Sequence, residues 1–310
     1  AVIDEETSKS IVRLPVCHVP NILIENSTDL QMQKYVKPYL SGNINACFAQ
    51  TEPNAGSDMG NMMSTFAVQD DDYWILNGTK AYISGAGTAD FMMLQAVTDP
   101  NKMALGGITM FLVDRKQPGV TTAPVQTWIT PNGENYFIYL ENVKIHANQI
   151  LGNLGNGYIL GQRWLDFHDR LLKCSTIIGI LTRSLEMAIS LVNEKRDHRL
   201  LPNNGYIETT LSDIYVTITV LRRLMYEVAL SYDQSENIEI SASMLKFCAA
   251  EWGWQCIDKI TQLFGDNAER LDNPISHWYH LLRHARIGGG TSEMMRIKIA
   301  KFLLKSSESE

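Results

Sequence analysis

The amino-acid sequence predicts an α+β multidomain protein, in which a central antiparallel β domain is followed by a C-terminal four-helix bundle. Between residues 46 and 152, short apolar runs are separated by Asn-Gly, Gly-Gly and Pro-Gly turns, as in antiparallel strands. From residue 153 onward, apolar residues recur at steps of three and four, which is the period of packed helices. These changes of pattern predict three parts: residues 1–45, 46–152 and 153–310.

The individual elements follow from local signals. The N-terminal part is polar and predicted to be helical, with a start signal at residues 27–29 (Ser-Thr-Asp) and an amphipathic run to Leu40. In the C-terminal part, the apolar seam of one bundle helix runs from Ile207 to Val228. Similar apolar stripes raise the expected number of bundle helices to about four. The predicted strands include 73–76, 91–97 and 108–113, and the further helices are 160–192, 240–264 and 293–304.

Composition argues against several classes of function. With a net charge of −7 and no Lys/Arg cluster, the chain lacks the signature of a nucleic-acid-binding protein. The five cysteines form an odd set without a Cys-x-x-Cys pair, which favours reduced thiols and a cytoplasmic protein. No uninterrupted apolar run has membrane-spanning length, and Ala1 begins no signal-peptide pattern. The seven histidines show no paired-ligand spacing, so no metal site is predicted.

The most informative segment is residues 47–58, Cys-Phe-Ala-Gln-Thr-Glu-Pro-Asn-Ala-Gly-Ser-Asp. It cannot continue a helix or a central strand, because Pro53 lacks an N–H donor and Gly56 permits unusual dihedral angles. The turn brings Thr51, Ser57 and backbone N–H groups together, where they can hold a planar ring edge or a phosphate. Taken alone, the string could equally be an ordinary polar turn.

Four motifs in the same order resemble the acyl-CoA dehydrogenase family, and the likeness runs from about Asp29 to Leu304. The first lies within residues 47–58 and is similar to the family's flavin-contacting signature. Within the family, the likeness is closest to the crotonobetainyl-CoA reductase branch, whose corresponding loop is also glycine-rich. The other motifs are Asn77-Gly-Thr-Lys-Ala-Tyr-Ile-Ser84, Glu141-Asn-Val143 with Ile150-Leu-Gly152, and Arg286-Ile-Gly-Gly-Gly-Thr-Ser-Glu293.

The resemblance implies an FAD-dependent oxidoreductase of fatty acid metabolism that acts at the α and β carbons of an acyl thioester, as a dehydrogenase or an enoyl-CoA reductase. It also implies an acyl-CoA substrate, an electron-transfer flavoprotein as partner, and a dimer or tetramer with FAD at a subunit boundary. Because the likeness begins late in the family pattern, we expect the N-terminal helical domain to be largely missing.

The resemblance also carries site roles onto particular residues. Phe48 and Tyr82 would pack on the flavin ring, although each could singly be an aromatic residue of the β core. Ser57 and Arg170 would contact the substrate. The cofactor-binding positions are Phe48, Gln50, Thr51, Gly56, Ser57, Tyr82, Ser84, Lys195, Gln262, Gly265, Thr291 and Glu293.

The catalytic base departs from the family's commonest pattern. Many members place a glutamate in the loop where this chain has Gly289, which has no proton-accepting side chain. A branch like isovaleryl-CoA dehydrogenase places it on a bundle helix just before an arginine, and Asp169-Arg170 matches that segment. Asp169 is therefore the candidate base, and burial would have to raise its pKa from about 3.9 for efficient proton abstraction. Alternatively, Asp169 only pairs with Arg170 or His168 on a polar helix face.

Further departures fall on positions that the family supplies to FAD from a neighbouring subunit. Lys195 keeps the charge of the family's arginine without its bidentate fork, and His198 replaces an aromatic residue. Beyond Gln262 and Gly265, Asp266 puts a carboxylate where the family has a glycine, which is unfavourable near a phosphate. This set supports a second hypothesis, a catalytically weak or inactive subunit that serves as a structural partner or acyl-thioester-binding protein in a hetero-oligomer.

Overall fold

The structure is a computed structural model that describes four stretches of the chain, residues 1–10, 21–129, 134–197 and 205–306. It divides into two compact units. Cys17–Trp164 forms the first unit, and Ala1–Val16 with Leu165–Glu310 forms the second. The first unit contains a β-sheet and the second a helix bundle, which confirms the predicted α+β class. The boundaries predicted at residues 45 and 152 stay a prediction.

A mixed sheet is the centre of the first unit. Its described strands are β1 (Ala46–Ala49), β2 (Phe66–Asp70), β3 (Tyr73–Ser84), β4 (Phe91–Val97), β5 (Ile108–Asp114), β6 (Val120–Val125) and β7 (Asn135–His146). Their order is β1-β4-β2-β3-β7-β6, with β5 beside β4. Most pairs are antiparallel, as expected, whereas β1 and β2 pair with β4 in parallel. The predicted strands are confirmed as β3, β4 and β5.

Strand β4 is buried along its whole length because both of its faces are covered. Met92 and Leu94 belong to one apolar cluster, whereas Phe91 and Met93 belong to another. This division follows from the alternation of side chains along a strand. Since β1 pairs with β4 over its four residues, β4 fixes the strand that leads into the turn of residues 50–58.

The described helices occupy both units. They are α1 (Val2–Thr7), α2 (Asn21–Asn26), α3 (Asp29–Gln31), α4 (Lys37–Leu40), α5 (Met59–Met62), α6 (Gly157–Trp164), α7 (Lys173–Asp197), α8 (Gly205–Asp233), α9 (Glu239–Phe264), α10 (Pro274–Ala285) and α11 (Ser292–Ser306). Two segments, Met32–Val36 and Leu165–Leu172, are π-helical. The predicted start at Thr28 is confirmed by a capping box, in which Thr28 and Gln31 exchange side chain–backbone hydrogen bonds.

The core of the second unit is formed mainly by α7, α8 and α9. The predicted seam of α8 is confirmed, because Ile214, Leu221 and Met225 are fully buried. Helix α10 lies in the part of the chain predicted to be helical, although it is not one of the apolar stripes named there. Its signal was nevertheless present in the sequence, since Asn273 caps the helix by accepting from the Ile275 N–H and Pro274 occupies its first turn.

One helical stretch, residues 157–195, is long and apolar enough to cross a membrane by length and composition. Its most apolar window has a mean hydropathy of 1.4, and 56% of that window is buried inside the protein. A core helix of a packed bundle meets the same criterion, so the finding is weak evidence for a membrane span. The stretch contains no uninterrupted apolar run of membrane-spanning length, because polar and charged residues stand between its apolar ones.

Candidate active site

A buried ion pair joins the turn of residues 50–58 to strand β3. The Lys80 ammonium lies 2.8 Å from a carboxylate oxygen of Glu52, and the two side chains are 0% and 2% exposed. Lys80 also donates to the Gln50 carbonyl at 3.1 Å. Next to it, the Ala81 N–H donates to the Thr51 carbonyl at 2.9 Å. The two motifs singled out in the sequence are therefore held together by an ion pair and backbone hydrogen bonds.

The Glu52 carboxylate is fully satisfied by donors in addition to Lys80. It accepts from the Ser64 N–H and hydroxyl, each at 2.6 Å, and from the Thr65 N–H at 2.9 Å. Burial alone would raise the pKa of Glu52, but the Lys80 charge and these donors outweigh it and lower the pKa to about 2. Burial, only partly offset by Glu52, lowers the pKa of Lys80 to about 8. Both groups are therefore charged at neutral pH.

The polar groups of this turn fit a cofactor edge. Within the described stretches, the side chains of Gln50, Thr51 and Ser57 make no hydrogen bond, so their amide and hydroxyl groups are available to a ligand. Gly56 is exposed, and a Cβ placed there would meet nothing within 4 Å. Three of the residues expected to bind flavin thus have side-chain donors and acceptors that no described residue uses.

Tyr82 lies at an irregularity of β3. The register between β3 and β7 shifts between Lys80 and Ile83, and Tyr82 adopts the left-handed backbone conformation with φ +59°. Such a φ is uncommon for a residue with a Cβ, and such residues often mark functional sites. The shift leaves the Tyr82 ring 55% exposed, 5.9 Å from the Phe137 ring centroid. Tyr82 is therefore presented at the surface of the sheet, where an exposed aromatic ring fits a planar ligand.

Phe48 and Ser84 already have partners within the first unit. The Phe48 ring stacks on Trp164, with centroids 4.2 Å apart and planes inclined by 20°. The Ser84 hydroxyl donates to Asn135 Oδ1 at 2.8 Å. The packing of Phe48 agrees with its alternative role as a core aromatic residue, and flavin contact by Phe48 stays a prediction.

In the second unit, the candidate base lies in the π-helical segment Leu165–Leu172. The wide turn of a π-helix occurs frequently at functional sites. The Asp169 side chain is only 9% exposed, and its Oδ1 contacts both the Lys173 ammonium and His168 Nδ1, the latter at 3.1 Å. Burial would raise the pKa of Asp169, but Lys173 and His168 outweigh burial and hold the pKa well below its ordinary value. The rise in pKa that efficient proton abstraction would need is thus not observed.

Asp169 packs against the glycine that replaces the family's loop glutamate. Gly289 has φ +73°, and a Cβ placed there would lie 2.6 Å from the Asp169 Cβ and 3.2 Å from its Oδ2. The first separation is shorter than real Cβ contacts, and the second is tighter than most of them. The helix position and the loop position are therefore neighbours in space, and the aspartate fills the room that a loop side chain would need.

The remaining helical site residues are distributed along the second unit. The Arg170 side chain is buried and pairs with Asp166, whereas His168 contacts Asp169. Thr291 accepts a hydrogen bond from the Met294 N–H at the start of α11. Of the other predicted residues, Lys195 is half-buried and Gln262, Gly265, Asp266 and Glu293 are exposed, while His198 lies outside the described residues.

Three residues at these sites had no role in the sequence prediction. Glu52 and Lys80 stand inside the two motifs, but their pairing requires knowledge of how the turn meets β3. Lys173 follows Asp169 by four positions, and this i,i+4 spacing on a helix is a signal for an ion pair. No group of three or more metal-ligating side chains occurs in the described stretches.

Most of the chain is similar to proteins of the acyl-CoA dehydrogenase family. The profile of the acyl-CoA dehydrogenase middle domain matches residues 47–143, and that of the C-terminal domain matches residues 155–304. The 3-(aryl)acrylate reductase of Clostridium sporogenes is 34% identical over 90% of this chain and 74% of the reductase. The CarC subunit of the caffeyl-CoA reductase–Etf complex of Acetobacterium woodii is 32% identical over 91% of this chain and 74% of the subunit.

A solved structure of an acyl-CoA dehydrogenase has a similar fold. The acyl-CoA dehydrogenase of Geobacillus kaustophilus superimposes with a TM-score of 0.87 and 26% identity, over 97% of this chain and 81% of the dehydrogenase. The family profiles cover both units, and the matched relatives extend over most of the chain. This chain belongs to the acyl-CoA dehydrogenase family.

Proposed function

We propose that Asp169 exchanges a proton with the α carbon of an acyl-CoA thioester. The turn of residues 50–58 and Tyr82 would hold the flavin that carries out the redox chemistry at the β carbon. The chain is an FAD-dependent acyl-CoA dehydrogenase or enoyl-CoA reductase. The observation that carries the site assignment is the buried Glu52–Lys80 pair, because it fixes a turn with unused polar groups beside the exposed Tyr82.

When bound, FAD supplies the two-electron chemistry by exchanging a hydride with the β carbon. The protein's part is to orient the ring and to handle the proton. Gln50, Thr51 and Ser57 would hydrogen-bond the cofactor, and Gly56 would let it approach the backbone. Asp169 would take the α proton in the oxidative direction and return it in the reductive one.

The redox partner is proposed from the relatives. One of them is a subunit of a caffeyl-CoA reductase–Etf complex, so an electron-transfer flavoprotein is the partner we propose for this chain. We also propose an oligomer in which Lys195, Gln262 and Gly265 face the cofactor of a neighbouring subunit. Location in the cytoplasm stays a prediction.

A catalytically weak subunit is the second candidate function, and the environment of Asp169 favours it. A carboxylate whose pKa is held low by Lys173 is a poor base at neutral pH. Such a subunit would bind an acyl thioester or a partner chain without rapid turnover. The two functions differ in what happens to the flavin when a thioester is added.

The purified chain should retain FAD after incubation with excess cofactor and gel filtration. Its flavin absorbance should bleach on addition of a suitable saturated acyl-CoA. Thr51→Val should weaken FAD binding by about 2- to 12-fold, because one hydrogen bond is worth about 0.5–1.5 kcal/mol. The exposed helical Thr209 provides the control, since Thr209→Val removes no predicted cofactor contact. A colourless protein after this treatment would contradict the proposed enzyme, and a coloured protein that never bleaches would support the weak subunit.

Asp169→Asn should lower turnover by at least about 100-fold while leaving FAD binding intact, since general acid–base catalysis contributes about 10²–10⁴-fold. The amide keeps the size of the side chain but cannot accept the α proton. Steady-state turnover of flavin-loaded protein measures the effect. Asp213→Asn is the control, because Asp213 forms an exposed ion pair with Lys259. Equal turnover of Asp169→Asn and the parent protein would remove Asp169 from the mechanism.

A further inference from the structure

Asp169 is held on one of its two oxygens. Lys173 and His168 both contact Oδ1, whereas Oδ2 is the oxygen closer to Gly289. Lys173 reaches this contact from the next turn of the helix, and its side chain is 47% exposed. A half-exposed ammonium group thus connects a buried carboxylate with the surface.

His168 shares Oδ1 with Lys173, and further ionisable groups near Asp169 lie on α7, α9 and α10. Lys246 of α9 is buried and donates to the Ala285 carbonyl, and burial lowers its pKa to about 8. Burial, aided by the nearby lysine charges, lowers the pKa of His284 of α10 to about 4, so this ring is neutral at pH 7. Burial raises the pKa of the Cys174 thiol to about 12, so that it stays neutral as well. Lys173 is therefore the charged amine in direct contact with the carboxylate.

Contact with an ammonium has two consequences for a carboxylate base. It stabilises the ionised form, so the base stays ready to accept a proton in more acidic solution. It also weakens the base, because the ammonium does not favour the protonated form that follows proton transfer. In the reductive direction the protonated form of Asp169 has to donate, so there the same contact limits activity on the basic side of the pH profile.

We propose that Lys173 is a positioning residue for the proton-transfer step, which holds Asp169 through Oδ1, aims Oδ2 at the α carbon and sets the pH range in which the base works. The inference rests on the proposed function, with Asp169 as the base. In the oxidative direction, the electron pair of the α C–H bond would form the new double bond as a hydride left the β carbon for the flavin, which would supply the two-electron oxidant. The proton passes to Oδ2, and Lys173 stays protonated throughout.

The test compares Lys173→Met, Lys173→Arg and Arg183→Met in the full chain. Arg183 is a matched control, because it lies on the same helix α7, is likewise 47% exposed and forms an ion pair with Glu186. An opposite charge in direct contact shifts the pKa of a carboxyl by about 1–3 units. The pH at which kcat/KM falls on the acid side should therefore rise by that amount in Lys173→Met. One pH unit below this new value, Lys173→Met should lose about 10-fold in kcat/KM, since each pKa unit is a tenfold change. Lys173→Arg and Arg183→Met should keep the parent profile.

A second measurement does not depend on turnover. The ¹³C signal of the Asp169 carboxyl, assigned by its loss in Asp169→Asn, should titrate at higher pH in Lys173→Met than in the parent. Equal titration of the two proteins, or an Arg variant that behaves like the Met variant, would overturn the inference. Loss of flavin or turnover in the parent would instead refute the proposed function, and the carboxyl titration would still decide the role of Lys173.

Discussion

Lys80→Met should destabilise the protein by about 3–5 kcal/mol, because it leaves the buried Glu52 carboxylate without its counter-ion. The Lys80 side chain is fully buried, and its ammonium makes contacts with both Glu52 and the Gln50 carbonyl. The free energy of unfolding from urea denaturation measures the change. FAD binding should weaken in parallel, since the turn of residues 50–58 loses its attachment to β3.

The chain offers a matched control for this prediction. Lys34 forms an ion pair with Asp114 at the same distance of 2.8 Å, but the two side chains are 50% and 35% exposed. An exposed pair is worth about 0–1 kcal/mol, so Lys34→Met should be nearly neutral. The double variant Glu52→Gln/Lys80→Met should recover part of the loss, because it removes the unpaired charge. Equal effects of Lys80→Met and Lys34→Met would contradict the assigned role of the buried pair.

The same pair predicts a dependence of stability on pH. The pKa of Glu52 is lowered from 4.5 to about 2 in the folded protein. The contribution of the ionised Glu52 to the free energy of unfolding is therefore fully present above about pH 4.5 and is lost as the pH falls towards about 2. Urea denaturation between these limits should show a decline that is shallower in Glu52→Gln/Lys80→Met than in the parent.

Gly289→Ala should destabilise the second unit by about 2–5 kcal/mol and impair the base. About 1–2 kcal/mol comes from a left-handed residue that acquires a Cβ, and overpacking adds about 1–3 kcal/mol. The new methyl group would lie 2.6 Å from the Asp169 Cβ, so the helix or the loop must shift. Urea denaturation measures the stability, and the carboxyl titration of Asp169 reports the displacement.

Gly42 separates the two causes of this effect. It has the same φ of +73°, but a Cβ placed there would meet nothing within 4 Å. Gly42→Ala should therefore show the backbone strain alone. If Gly289→Ala cost no more than Gly42→Ala, the contact between the loop and Asp169 would not be as close as described.

The order of the elements could be predicted because each has a local signal. Asn-Gly and Pro-Gly turns mark the strands, and the seam from Ile207 to Val228 marks α8. The parallel pairing of β1 with β4 could not be predicted, because the register of Ala46 with Phe91 joins segments distant in sequence. Apolar runs show that a strand exists but do not specify its partner.

Less of the candidate site than of the fold could be predicted, because some of its contacts join residues that are distant along the chain. The turn of residues 50–58 and the Asp169-Arg170 segment could be recognised as strings of residues. The Glu52–Lys80 pair joins residues separated by 28 positions, so only the folded turn reveals it. Likewise, the sequence shows only that Asp169 would need a raised pKa to act well as a base, whereas the folded structure shows that the Lys173 ammonium outweighs burial and lowers it.

The contact between Asp169 and Gly289 limits how such an enzyme can change over generations. In this backbone a side chain at position 289 would fill the space of the Asp169 side chain, because a Cβ there lies 2.6 Å from the Asp169 Cβ. Carrying the acid on the loop instead of the helix therefore requires changes at both positions, and a single substitution at either one does not move it.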